Sequence, residues 1–200
     1  MVTRRVRPWW RTAAALAVGV LGCGPTAAAT AWTVDAAASR LGFSATIAGG
    51  EFEGRFGNWK ADIVFDPADL AGSRFNVVVS TASARTGDEE RDTALVGPDF
   101  FATSRWAAAT YVADRFDAAG PGRWVARGQL TLRGVTQSQD VTFTFTEAPA
   151  GDTARLSGTA LLRRLDYGIG QGDWQDTSVL DNEVTVSFEL RLRRPARVAR

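Results

Sequence analysis

The side chains that could do chemistry are few. The 200-residue sequence contains no histidine and a single cysteine, Cys23. Without histidine, neither a Ser-His-Asp nor a Cys-His nucleophile can be assembled. The usual nitrogen and sulfur ligands for zinc, copper or haem are missing as well. Carboxylate chemistry or plain binding remains. Two carboxylate clusters stand out, Glu51 with Glu53 and Asp88 with Glu89 and Glu90. Acid–base work needs one carboxyl desolvated and one ionised. Both clusters lie in polar stretches, so they read as solvated charge. No cofactor and no metal are expected. Gly168 to Gly172 spells G-x-G-x-G. It lacks a Lys-Ser/Thr ending and precedes a strand, so it does not match a nucleotide-binding loop.

The elements that would position such residues are strands. Trp124 to Phe145 reads as two strands joined by a tight turn. Trp124, Ala126, Gly128, Leu130 and Leu132 alternate with Arg127, Gln129, Thr131 and Arg133, which puts one face in a core and the other in water. Gly134 permits the reversal. Val141, Phe143 and Phe145 then alternate with threonines. A lone hairpin cannot bury such a face, so partner strands are required. Leu41, Phe43, Ala45 and Ile47 supply one. Ala61, Ile63 and Phe65 supply a second, preceded by Gly54, which marks a bulge or bend. Phe75, Val77 and Val79 supply a third. Val184, Val186, Phe188, Leu190 and Leu192 form the last, and Arg155 to Leu165 a further one. Ala107 to Phe116 is extended but less regular. Thr86 to Asp92 has no period of two, and Asp88 there can cap one short helix. About eight strands, one short helix and no linker predict an all-β domain, a single antiparallel sheet closed into a barrel, with a sandwich as the alternative.

Residues 1–31 read as a secretory signal peptide. Arg4, Arg5, Arg7 and Arg11 precede a short apolar run, and Ala29-Thr30-Ala31 supplies small residues for cleavage after Ala31, with Ala29 as the second site. The run is too short to span a membrane. The expected location is the periplasm; a lipoprotein acylated at Cys23 and a twin-arginine signal are the other readings. Four of the 23 basic residues lie in the leader, which leaves 19 against 22 acidic, a net of −3. That balance is a poor one for nucleic-acid binding. Residues 194–200 form a basic tail that reads as solvated.

Several stretches resemble the YceI-like proteins. Asp35, Ser39 and Phe43, then Gly54-Arg55-Phe56 and Ile63 to Pro67, resemble the first half of the family. Thr86-Gly87, Arg91 to Leu95 and Phe100-Phe101 resemble its middle. Gly128 to Thr136 is similar to its most recognisable stretch. The match covers nearly all of a domain at 32–193. The resemblance implies an extended, lipocalin-like barrel in an exported bacterial protein that holds a long apolar molecule, such as a polyisoprenoid, fatty acid or fatty amide. It implies no enzyme. Many members carry a histidine after the first long strand, where this chain has Ile47-Ala48-Gly49, so ligand identity does not transfer.

An eight-stranded interior can be filled by side chains or can hold one small ligand. The residues expected to bind it are the inward aromatics Phe43, Phe52, Phe56, Phe65, Phe75, Phe143, Phe145 and Phe188. Trp174 is the candidate for a flap over the barrel mouth. Arg85 and Arg91 read as a surface ion-pair network beside Asp92, or as holders of a polar or phosphate head at the entrance. Two other function classes stay open: a carboxylate enzyme acting on lipid or sugar, and a solid-packed interaction module.

Overall fold

The computed structural model describes residues 29–195. Most of residues 1–31, expected as a signal peptide, and the end of the C-terminal segment, Cys23, Arg197 and Arg200 included, lie outside the described residues. Within them run β1 (Ala31–Val34), β2 (Arg40–Ile47), β3 (Gly50–Phe56), β4 (Trp59–Val64), β5 (Arg74–Ser80) and β6 (Ala84–Arg85). Helix α1 (Glu89–Val96) follows, then β7 (Ala108–Ala118), β8 (Arg123–Leu132), β9 (Val135–Glu147), β10 (Thr153–Arg163) and β11 (Glu183–Arg193). These segments build eight long antiparallel strands. β1 continues into β2 across a 3-10 turn, β3 into β4 across Gly57-Asn58, and β5 into β6 across a second 3-10 turn. Neighbours follow the order β1-β4-β5-β7-β8-β9-β10-β11, and β1 pairs back onto β11 through Thr33 with Arg193 and Val34 with Leu192. The sheet is thus a closed barrel and not a sandwich, and closure removes its free edges.

Alternation decides which side chains enter. On β8 Ala126 and Leu132 are buried, while Arg127 and Gln129 are exposed. The two-residue turn to β9 holds Arg133 and Gly134 at positive φ, the geometry that matches hairpin twist. β7 is irregular for a local reason: its register against β8 shifts between Ala113 and Arg115, so Ala113 and Phe116 are both buried. Gly54, by contrast, marks no bulge. It pairs in register with Phe43, and its role is spatial, as described below.

Two apolar clusters divide the interior. At one end Trp32, Phe65, Phe75, Phe116, Phe143 and Phe145 pack as a plug. Phe65 touches Phe143 and Phe145 edge-on at 5.1 and 5.0 Å between ring centres. At the other end two segments cap the barrel. The first runs from α1 to residue 107. Asp88 caps the helix by accepting from the Arg91 amide at 2.9 Å, and Leu95, Phe100 and Phe101 turn inward. The second is the connection from β10 to β11, which contributes Tyr167, Ile169 and Leu180.

Candidate functional site

Between plug and cap the barrel encloses a cavity of about 220 Å³. A single water needs only roughly 10–15 Å³ of such space, so this is room on the scale of a ligand. Inward side chains from every long strand of the barrel form the wall, among them Leu41, Val77, Leu130 and Val186. These four are half-buried although they point inward, because they border space instead of other side chains.

The wall has polar residues but presents an entirely apolar surface. Each polar group turns to a backbone carbonyl. The Tyr111 hydroxyl donates to Ala126 at 3.1 Å and Gln139 at 3.3 Å. Burial pushes this phenol far above its usual pKa, with Asp140 adding to the shift. The Thr81 hydroxyl donates to Trp106 at 3.0 Å. Arg164 is 3 % exposed. Its Nε donates to the carbonyl of Asp181 at 2.8 Å, Nη1 to that of Ile169 at 2.9 Å, and Nη2 to that of Leu180 at 2.5 Å. Burial lowers the pKa of its guanidinium, and Asp181 opposes that shift. Arginine stays charged even so. It acts as a staple that draws both ends of the β10–β11 connection onto the barrel.

Glycine keeps the cavity hollow at two places. A Cβ on Gly54 would stand 2.2 Å from the Phe43 ring, and one on Gly158 would stand 2.8 Å from the Phe188 ring. In each case the tip of the ring takes space beside the strand that a side chain would otherwise fill.

The sequence-derived candidates separate into three places. Phe43, Phe52, Phe56 and Phe188 lie on the cavity wall, and Phe75 faces it from the plug. Phe65, Phe143 and Phe145 do not; they belong to the plug. Period-two alternation reports which face a residue takes but not its depth along the barrel axis. Trp174 sits in the cap, 5.5 Å from Phe100, and not on the wall. Arg85 and Arg91 are outside the cavity. Arg85 donates to the carbonyls of Ala82 and Ala84. Arg91 lies over the Phe52 ring at 4.4 Å, with Asp88 at 3.9 Å. Asp92 accepts from the Thr86 hydroxyl at 2.8 Å and its amide at 2.6 Å, which holds its carboxyl below the usual range. Glu51, Glu53, Asp88, Glu89 and Glu90 are all exposed. No carboxylate stands on the wall among the described residues.

The polar residues around the cavity, Tyr111, Gln139 and Arg164, escape a reading of sequence motifs. One signal was available for Arg164. Ala154, Leu156, Gly158, Ala160 and Leu162 mark the inward phase of β10, and Arg164 continues it.

Residues 32–192 match the YceI-like domain. A UPF0312 protein of Vibrio parahaemolyticus is 31 % identical over 158 residues, 77 % of this chain and 76 % of the relative. One of Pseudomonas savastanoi pv. phaseolicola is 32 % identical over 161 residues, 78 % and 79 % of the two chains. Among solved structures, BcnA of Burkholderia cenocepacia superposes with a TM-score of 0.76 at 28 % identity, over 80 % of this chain and 99 % of that one. A polyisoprenoid binding domain from Saccharophagus degradans gives 0.66 at 21 % identity, over 84 % and 99 %, a likeness of fold. No helix among the described residues is long and apolar enough to cross a membrane.

Proposed function

Because the chain belongs to the YceI-like family, we propose that it is an exported binding protein that carries a long apolar molecule inside its barrel. One observation carries the reading: a ligand-sized cavity whose exposed wall is wholly apolar. Alkyl or prenyl carbon suits such a wall, at about 0.8 kcal/mol per buried CH₂. The ligand class is a polyisoprenoid, fatty acid or fatty amide; polyisoprenoid binding is the stated property of the Saccharophagus domain that shares the fold. Binding is favoured over catalysis because the wall offers no carboxylate, and the chain has no histidine to replace one. The cavity also speaks against a solid-packed module. Export rests on the leader pattern in residues 1–31, and the periplasm is the proposed location.

Solvent extraction of the protein purified from its natural host, followed by mass spectrometry, tests the reading. A stoichiometric long-chain lipid is expected. A clean extract, together with no uptake of added prenyl or acyl lipids, would sink the carrier.

A further inference from the structure

We propose that the apolar ligand enters and leaves through the side of the barrel, by parting β9 from β10, and that Gln139 is the latch of this opening. The proposal rests on the carrier reading above.

The ladder between β9 and β10 runs only from Glu147–Ala154 to Thr142–Thr159. Both strands continue toward the cap, β9 back to Val135 and β10 on to Arg163. Over that stretch each stays laddered on its other side. β9 pairs with β8 down to Val135, and β10 pairs with β11 up to Arg163. Only the junction between the two comes apart. The neighbouring junction of β2 with β11, whose own ladder stops at Ser44–Thr185, is carried on by Asp181 donating to Thr46 and by the Ile47–Leu180 bridge.

Across the β9–β10 seam, the hydrogen bond that holds is made by a side chain. Gln139 Nε2 donates to the Leu161 carbonyl at 3.2 Å and to the Asp140 carbonyl at 2.8 Å. Two carbonyls facing this nitrogen fix the amide's orientation. Gln139 is also on the cavity wall, with Val141, Ala160 and Leu162 beside it. The inward phase of β9 runs Phe145, Phe143, Val141 and then turns to Gln139 and Gln137. The series turns polar where the ladder stops, and Gln137, one step further, is exposed.

The cap end is far more firmly fastened. The Asp99 backbone carbonyl accepts from the Gly170 and Gln171 amides at 2.7 and 3.0 Å. Arg133 joins the Pro98 and Gly168 carbonyls, and Arg164 grips the connection from within. Lifting the cap would break all of these and would unbury Phe100, Tyr167 and Ile169. Parting the seam breaks one side-chain hydrogen bond between strands and separates a few apolar contacts. A path through the wall is the lower-cost route.

The test uses the full chain with Cys23→Ser and the apolar fluorophore N-phenyl-1-naphthylamine as probe. Asp140→Cys with Leu161→Cys places two exposed thiols across the seam, to be joined by a short bifunctional thiol reagent. Asp99→Cys with Gln171→Cys does the same within the cap. Joining the seam is expected to slow probe uptake and release at least tenfold, with the final amount bound unchanged. Joining the cap is expected to leave both rates as in the unjoined protein. An unslowed seam-linked protein overturns the portal, and so does a cap link that slows exchange as much. Gln139→Ala needs no linker and should speed exchange severalfold; an unchanged rate counts against the latch. Failure of every form to bind probe or prenyl lipid would defeat the carrier reading itself, a result distinct from fast exchange in a seam-linked protein.

Discussion

Phe143 separates plug from wall, and replacing it measures the difference. Its side chain is 1 % exposed and touches Phe65 at 5.1 Å, Phe75 at 5.2 Å, Trp124 at 6.0 Å and Phe116 at 6.2 Å. Truncation to alanine would leave a void among rings that cannot collapse freely, at about 3–5 kcal/mol. A chain of this size loses roughly 2–4 °C of Tm per kcal/mol, so Phe143→Ala should melt roughly 6–20 °C below the parent. Phe143→Leu is nearer a change of shape and should cost about 1–2 kcal/mol. Phe143→Asp would bury a charge without a partner and should prevent folding. The hydroxyl of the exposed neighbour Thr144 bonds to Ser157 on the outer face, so Thr144→Asp should stay within about 0.5 kcal/mol. Phe56→Ala, on the half-buried wall, should destabilise less than Phe143→Ala but change which lipid is extracted. Thermal unfolding followed by near-ultraviolet circular dichroism, with lipid extraction on each variant, supplies both readouts. A Phe143→Ala protein that melts like the parent yet loses its lipid would refute the division of the interior. A Thr144→Asp protein as unstable as Phe143→Asp would refute the register.

Gly54→Ala should force the Phe43 ring into the cavity, lowering the amount or length of lipid retained, with about 1–3 kcal/mol of strain; retention of the parent's full lipid complement would contradict this. Both tyrosines, Tyr111 and Tyr167, have pKa values raised chiefly by burial. A raised native pKa means their contribution to stability is complete below about pH 10 and is lost as pH climbs through the native value. Phenolate absorbance at 295 nm should therefore appear only together with unfolding, and a separate earlier titration of either ring would count against its burial. Intact-mass measurement on exported protein should show a chain beginning at Trp32. A start at Thr30 would keep that residue's carbonyl bonded to the Phe65 amide at 2.9 Å, and diacylglycerol on Cys23 would place the protein on a membrane surface.

Strand positions and inward faces were legible because burial on a closed sheet obeys a period of two, as on β8 and β11. The capped helix was legible too, since Asp88 and the acidic first turn act locally. What escaped depends on depth and on distant neighbours. Phe143 and Phe188 have the same alternation signature, yet one is in the plug and the other on the wall, because the axial position of a residue is set by strand stagger. Gly54 looked like a bulge because its partner ring, Phe43, comes from another strand. Gln139 and Arg133 carry no motif; their roles exist only once Leu161, Pro98 and Gly168 arrive beside them.

The barrel is shut between its first strand and its last. The Arg193–Asp35 ion pair that fastens β11 to β1 joins residues 158 apart in sequence. Every other strand can find its neighbour before β11 is made, but this seal must wait for β11. Until then β10 and the β1–β2 strand present unpaired backbone, the kind of template that recruits other chains. Contacts this remote also slow folding. The growing chain therefore holds an open, vulnerable sheet until β11 is in place. Loss of even the last few residues of β11 should leave a chain that aggregates, whereas the same loss from a loop would be tolerated.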